Sequence, residues 1–164
     1  MGRRNFPAAT TTLRLLLRVV VVAGAITTLT MAAQTVKYAA TQADLIAALG
    51  NDTTVVLKST ILLETSTNPD GYATGIVIEN VQGFVIDGAG FAINGQGSMR
   101  CVYVGGSGTT VELRNLTVTN GNSTGSGGGI EVDGAAATLM TSSVTNSTAA
   151  NVSVPWDRPT PQPP

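Results

Sequence analysis

Residues 112 to 120 read ELRNLTVTN, and residues 138 to 146 read TLMTSSVTN; the two align without a gap at an offset of 26, setting Asn120 over Asn146. Working outward from this pair, the apolar residues of the neighbouring runs fall into three columns. Ile76/Ile78, Val102/Val104 and Ile130/Val132 are separated by 26 and 28 residues. Phe84/Ile86, Val111/Leu113 and Ala137/Leu139 step by 27 and 26, and Phe91/Ile93, Leu116/Val118 and Ser142/Val144 by 25 and 26. Three columns with one period are the mark of a repeat architecture.

A period of about 26 residues holding three very short strands is what a right-handed parallel β-helix requires. Each coil gives one strand to each of three sheets, and coils stack ~4.8 Å apart. The expected fold class is therefore all-β, a right-handed parallel β-helix of about three coils. Alternation points the paired apolar residues inward and Val77, Tyr103, Glu131, Val85, Glu112 and Thr138 outward. Gly88, Gly90, Gly95, Gly105, Gly121 and Gly134 are expected at corners, where the chain turns sharply or takes a positive φ.

Upstream, TQADLIAALG (41 to 50) carries Thr41 as N-cap, Asp44 three residues on, Leu45, Ile46 and Leu49 on one face and Gly50 as C′ stop. This short helix is expected to cap an incomplete first coil, TVVLKSTILL (54 to 63), with 64 to 75 a loop. The expected organisation is a leader at 1 to 33, a linker and capping helix at 34 to 53, the β-helix at 54 to 150 and a tail at 151 to 164. Five of the last ten residues are Pro, so the tail reads as a disordered linker that cannot donate to a strand ladder, with the single Trp156 exposed in it.

Four of the nine basic residues (Arg3, Arg4, Arg14, Arg18) precede the uncharged run VVVVAGAITTLTMAA (19 to 33). This is the pattern of a secretory signal with cleavage after Ala32 or Ala33. The alternative is an uncleaved anchor, because 18 uncharged residues separate Arg18 from Lys37, close to the ~20 of a membrane span. Sequons at Asn51, Asn115, Asn122, Asn146 and Asn151 mark possible N-glycosylation positions in an exported chain. Without the leader, five basic residues face ten acidic ones, a net charge of −5, which argues against a nucleic-acid partner. His is absent and Cys101 stands alone, which excludes an intrachain disulfide, Ser-His-Asp and Cys-His chemistry and His-containing zinc sites. Cys101 is expected to be a partly buried small residue.

The order capping helix, VVL, GFVIDGAGFAING, LRNLTVTNGNSTGSGGGIEV, VTNSTA resembles the right-handed parallel β-helix superfamily of pectin-lyase-like folds over residues 36 to 149. The portion GSGGGIEVDGAAATLMTSSVTNSTA (125 to 149) is similar to the repeats of polymorphic outer membrane proteins and autotransporter passengers. The repeat stopping after three coils fits a truncated member. In the enzymes of that superfamily, the resemblance implies, catalysis rests on carboxylates, often with calcium, and an Arg or Lys.

Asp87 and Arg114 fall at one column position a coil apart, about 5 Å between Cα atoms, and are the catalytic candidates if the chain is an enzyme; the plainer reading is a surface ion pair. Glu79 and Asp133 share a second position with Gly105 between them, and with Glu131 form a weak calcium candidate; a solubilising acidic face is the plainer reading. No cofactor is expected. GNSTGSGGG (121 to 129) is followed by a strand and reads as an elongated corner, not a phosphate cradle. Tyr103 alone offers a ring for a sugar. The expected function is a secreted or cell-surface module, non-catalytic, with an adhesive or structural role in a wall or envelope (the outer membrane, in a bacterium). Its expected partners are polysaccharide or cell-surface components, with the membrane reached only through an uncleaved leader. The alternative is a polysaccharide lyase or glycoside hydrolase.

Overall fold

A strand of two to six residues cannot bury its apolar side chains alone, so stability comes from stacking equivalent strands until their inward residues share one core. The computed structural model describes residues 34–150, and before them only three short strands, β1 (Thr11–Thr12), β2 (Val20–Val22) and β3 (Ala25–Thr27). The leader's charged residues and its cleavage positions, the Pro-rich tail, Trp156 and Asn151 lie outside the described residues.

In chain order follow β4 (Thr35–Ala39), α1 (Gln42–Ala47), β5 (Thr53–Leu57), β6 (Ile61–Leu62), β7 (Thr74–Glu79), β8 (Phe84–Asp87) and β9 (Ala92–Asn94). Then come β10 (Arg100–Gly105), β11 (Thr110–Arg114), β12 (Thr117–Thr119), β13 (Asn122–Ser123), β14 (Ile130–Asp133), β15 (Ala136–Met140), β16 (Ser143–Thr145) and β17 (Thr148–Ala149). The chain is all-β, with parallel sheets. One sheet runs β7-β10-β14, a second β4-β5-β8-β11-β15 with β1 antiparallel at its edge, and a third β6-β9-β12-β16. The path β7, β8, β9 is retraced by β10, β11, β12 and again by β14, β15, β16.

Register matches the columns read from sequence. Val102 pairs with Ile76 and Ile130, Leu113 with Ile86 and Leu139, and Val118 with Ile93 and Val144. Hydroxyl and amide contacts repeat at the same offset of 26: Thr117 with Ser143, Thr145 with Thr119, Thr148 with Asn122, and Asn120 with Asn94. Ile76, Ile78, Val102, Val104, Phe84, Ile86, Leu113 and Ile93 lie in one buried cluster. Burying each such side chain is worth ~1.5–3 kcal/mol.

The last turn departs from expectation. Val132 is 45% exposed and Ile130 only half-buried, although both share a column with wholly buried residues. The reason is positional: β14, β15 and β16 are edge strands, and among the described residues nothing stacks beyond them. Phe91 is likewise exposed, because β6 begins only at Ile61, opposite Ile93, leaving the position beside Phe91 unpaired. Tyr103 and Val85, expected to face solvent, are buried yet stand outside the core cluster. On the outer face of the first sheet the cover is local to Tyr103, its neighbours Val77 and Glu131 being half-buried.

The N-terminal end holds two further differences. Thr35–Ala39, placed in a linker by the sequence reading, is a strand paired parallel to Thr53–Leu57. Helix α1 carries the expected capping box of Thr41 and Asp44. It ends early, with Ala48 as a right-handed C-cap, so Gly50 plays no left-handed role; Asp52 takes the positive φ of +47° instead. Ile46 faces solvent, and the buried face is Gln42, Leu45 and Ala48. The Gln42 amide donates to the carbonyls of Thr65 and Gly75 and accepts from the Glu64 and Thr65 N–H groups, pinning the helix over the open end.

Of the six corner glycines only Gly90 and Gly134 have positive φ. One corner column is built instead from Ala89, Asn115 and Thr141, all near φ +50°. The other four glycines serve close approach: a Cβ on Gly88 would strike the Asn115 carbonyl, and one on Gly95 would lie 2.8 Å from the Asn120 carbonyl.

Candidate functional site

The pair chosen from the repeat register meets as expected. Asp87, ending β8, pairs with Arg114, ending β11, and Arg114 Nε donates to Asp87 Oδ2 at 3.1 Å. The second carboxylate oxygen accepts from the Ala89 N–H at 3.0 Å and from Asn115 Nδ2 at 3.3 Å. Glu112 lies 3.6 Å from the same guanidinium. Partial burial pushes the Asp87 carboxyl up, but the hydrogen bonds from Ala89, Asn115 and Arg114 and the charge of Arg114 outweigh it, and the group sits below its ordinary range. A general acid or base working near neutrality needs the opposite shift. The arrangement holds an ionised carboxylate still.

The calcium candidates share a sheet and not a site. Glu79 and Asp133 both register on Gly105 from opposite sides, hence two strand spacings apart. Glu131 approaches Arg100 at 3.9 Å, and Asp133 accepts from the Tyr103 hydroxyl at 3.4 Å. Among the described residues no group of three or more metal-ligating side chains converges.

The chemistry is concentrated at a residue the sequence reading passed over. Arg100 opens β10 with its side chain wholly buried. Nη1 donates to Asp70 Oδ2 at 2.7 Å and to Thr74 Oγ1 at 3.3 Å, Nη2 to the Ser126 carbonyl at 2.9 Å and Nε to the Gly127 carbonyl at 3.0 Å. The rings of Tyr72 and Tyr103 each lie 5.6 Å from its guanidinium carbon. Desolvation of so buried a cation is offset only by such dense pairing. Arg100 thus ties the loop before β7 to the Gly-rich loop before β14 and roofs the outer face of the first sheet. The run GSGGG has its explanation here: the Tyr72 ring occupies the space of a Gly125 side chain, and the Thr148 carbonyl that of Gly128. Alternation gave no signal for it, since Arg100 shares the parity of the inward Val102 and Val104 while its guanidinium lies with Tyr103 and Glu131 on the outer face.

Tyr103, the one ring singled out as able to stack on a sugar, is covered by this cluster; burial, and then the nearby acids, push its hydroxyl up. Cys101 is wholly buried, where partial burial was expected, and loss of solvation pushes its thiol up to about 11. The sequon residues Asn51, Asn115, Asn122 and Asn146 are exposed. Two surface grooves carry no ionisable group: one of about 640 Å³ between Ala89, Asn115 and Ser142, and one of about 550 Å³ between Asn94, Asn120 and Asn146. Among the described residues no helix is long and apolar enough to cross a membrane. Comparison with protein-family models, with curated proteins and with solved structures finds no match for this chain.

Proposed function

We propose that the parallel sheets are those of a right-handed parallel β-helix of the pectin-lyase-like kind, and that the chain is an exported, non-catalytic module with an adhesive or structural role at a cell wall or envelope. Support for the winding comes from the fixed order in which each turn visits the three sheets, together with the strong right-handed preference of parallel crossovers. The single observation that carries the functional reading is the state of Asp87: both carboxylate oxygens are engaged by donors and its pKa is lowered. A repetitive surface of amides and hydroxyls at constant spacing suits a display or binding role toward polysaccharide or cell-surface components.

The reading is tested by assaying the purified chain for lyase and hydrolase activity on a polysaccharide panel, with and without calcium, while locating the chain by cell fractionation. No turnover, with the chain in the secreted or surface fraction, is expected. Turnover abolished by Arg114→Ala without loss of folding would establish the enzyme reading instead.

A further inference from the structure

One corner of the stack carries more hydrogen-bonding capacity than the fold consumes. Asn94, Asn120 and Asn146 follow one another at an offset of 26 and, with Gln96, Asn122 and Thr148, line the groove of about 550 Å³. Part of this chemistry is structural. Asn120 and Asn146 hold left-handed backbones, at φ +53° and +47°, a region that Asn enters more readily than most residues. Asn94 Oδ1 accepts from the Gln96 N–H at 2.8 Å and from Asn120 Nδ2 at 3.1 Å, and Asn122 is tied to the Gly97 carbonyl and the Thr148 hydroxyl. Gln96 Nε2 donates to the Leu63 carbonyl at 2.7 Å. The rest is spare: Asn94 Nδ2, Asn120 Oδ1, Gln96 Oε1 and both polar atoms of Asn146 make no hydrogen bond among the described residues.

We propose, resting on the non-catalytic binding role argued above, that this groove binds a neutral polysaccharide laid along the stack across Asn94, Asn120 and Asn146. An amide offers a donor and an acceptor side by side, the complement of two neighbouring sugar hydroxyls. No lining side chain is ionisable or aromatic, so recognition rests on hydrogen bonds and is insensitive to salt. Charge selects the class: a uronate finds no cation in the groove and meets a chain in which, past the leader, five basic residues face ten acidic ones.

The test uses the full chain made without N-glycans, because Asn122 and Asn146 are sequons and a glycan on either would fill the groove. Affinity electrophoresis in native gels holding hydroxyethylcellulose, dextran or polygalacturonate should show retardation by a neutral polymer and none by polygalacturonate. Gln96→Gly/Asn146→Gly keeps both left-handed backbones accessible and deletes two amides, and should weaken binding about tenfold. Wild type gives a second reading that needs no variant to fold. The cello- or isomalto-oligosaccharide matching the retarding polymer should shift NMR resonances of residues 94–97, 120–122 and 146–148. Undiminished retardation of the variant, or shifts elsewhere, overturns the groove while the polysaccharide partner stands. Retardation by no polymer overturns both. Preference for polygalacturonate overturns the neutral class.

Discussion

Arg100 Nη1 and Asp70 Oδ2 meet at 2.7 Å, with the arginine side chain wholly shielded and the aspartate one quarter exposed. Removing either partner leaves the other charge without its mate, at about 3–5 kcal/mol for a fully buried pair. Asp70→Asn should fall at the lower end, since water reaches Asp70. Arg100→Ala should fall at the upper end, since it also strands the Ser126 and Gly127 carbonyls. Urea denaturation reads both; two variants within ~0.5 kcal/mol of wild type would remove the ion pair from any structural role.

The same pair sets an acid limit. Burial raises the Asp70 carboxyl, but the hydrogen bonds from Arg100 and the Tyr72 N–H and the arginine's charge outweigh it, and the net shift is downward from 3.8. A carboxylate depressed in the folded state contributes stability above its unfolded pKa, and that contribution disappears as pH falls through the folded value. Wild type should therefore lose stability below about pH 4, more steeply than Asp70→Asn. Parallel pH profiles for the two chains would refute the assignment.

Legibility followed periodicity. The columns, with steps of 25 to 28 residues, placed Asp87 beside Arg114 and Val102 between Ile76 and Ile130, because stacking converts sequence period directly into register. Arg100 was missed because its partners are loop residues: Asp70, Ser126 and Gly127 belong to insertions between strands, where no period applies. Thr35–Ala39 was missed because it precedes the first repeat and so had no column to join. Exposure in the last turn was misjudged because alternation gives the direction of a side chain and is silent on whether another layer covers it.

Asp87 and Arg114 offer the contrasting expectation. Arg114 is 39% exposed and Asp87 19%, so their pair is worth under ~1 kcal/mol. Arg114→Ala should lower the melting temperature far less than Arg100→Ala. A loss equal to that of Arg100→Ala would show that the outer face of the second sheet is buried against something further.

Cys101 gives a kinetic handle on the core. Its Sγ is buried, with loss of solvation pushing the thiol to about 11, so at pH 8 a thiol reagent finds almost no thiolate and no path to it. Labelling should be slow in the folded chain and limited by opening of the β7-β10-β14 sheet, and it should become fast in urea. Arg100→Ala should accelerate it through lowered stability of the sheet, since Sγ itself faces the Thr119 carbonyl inside the core. Immediate stoichiometric labelling of wild type would contradict the burial.

Gly88 and Gly90 separate two reasons for glycine two residues apart. At Gly88 the backbone φ is one that any residue adopts, but a Cβ would strike the Asn115 carbonyl and lie 2.7 Å from the Leu116 Cα. Both contacts are backbone atoms of the next coil and cannot rotate away, so Gly88→Ala must push the coils apart at the third sheet, an overpacking cost of ~1–3 kcal/mol or more. At Gly90 nothing lies within 4 Å, and the obstacle is the φ of +86° alone. Alanine there costs the left-handed penalty of about 1–2 kcal/mol, and Asn, which tolerates that region, should cost less. The pattern to measure is therefore Gly88→Asn at least as damaging as Gly88→Ala, but Gly90→Asn milder than Gly90→Ala. Chemical denaturation of the four variants decides it. Rescue by Asn at position 88 would mean that conformation, and not coil spacing, governs this corner.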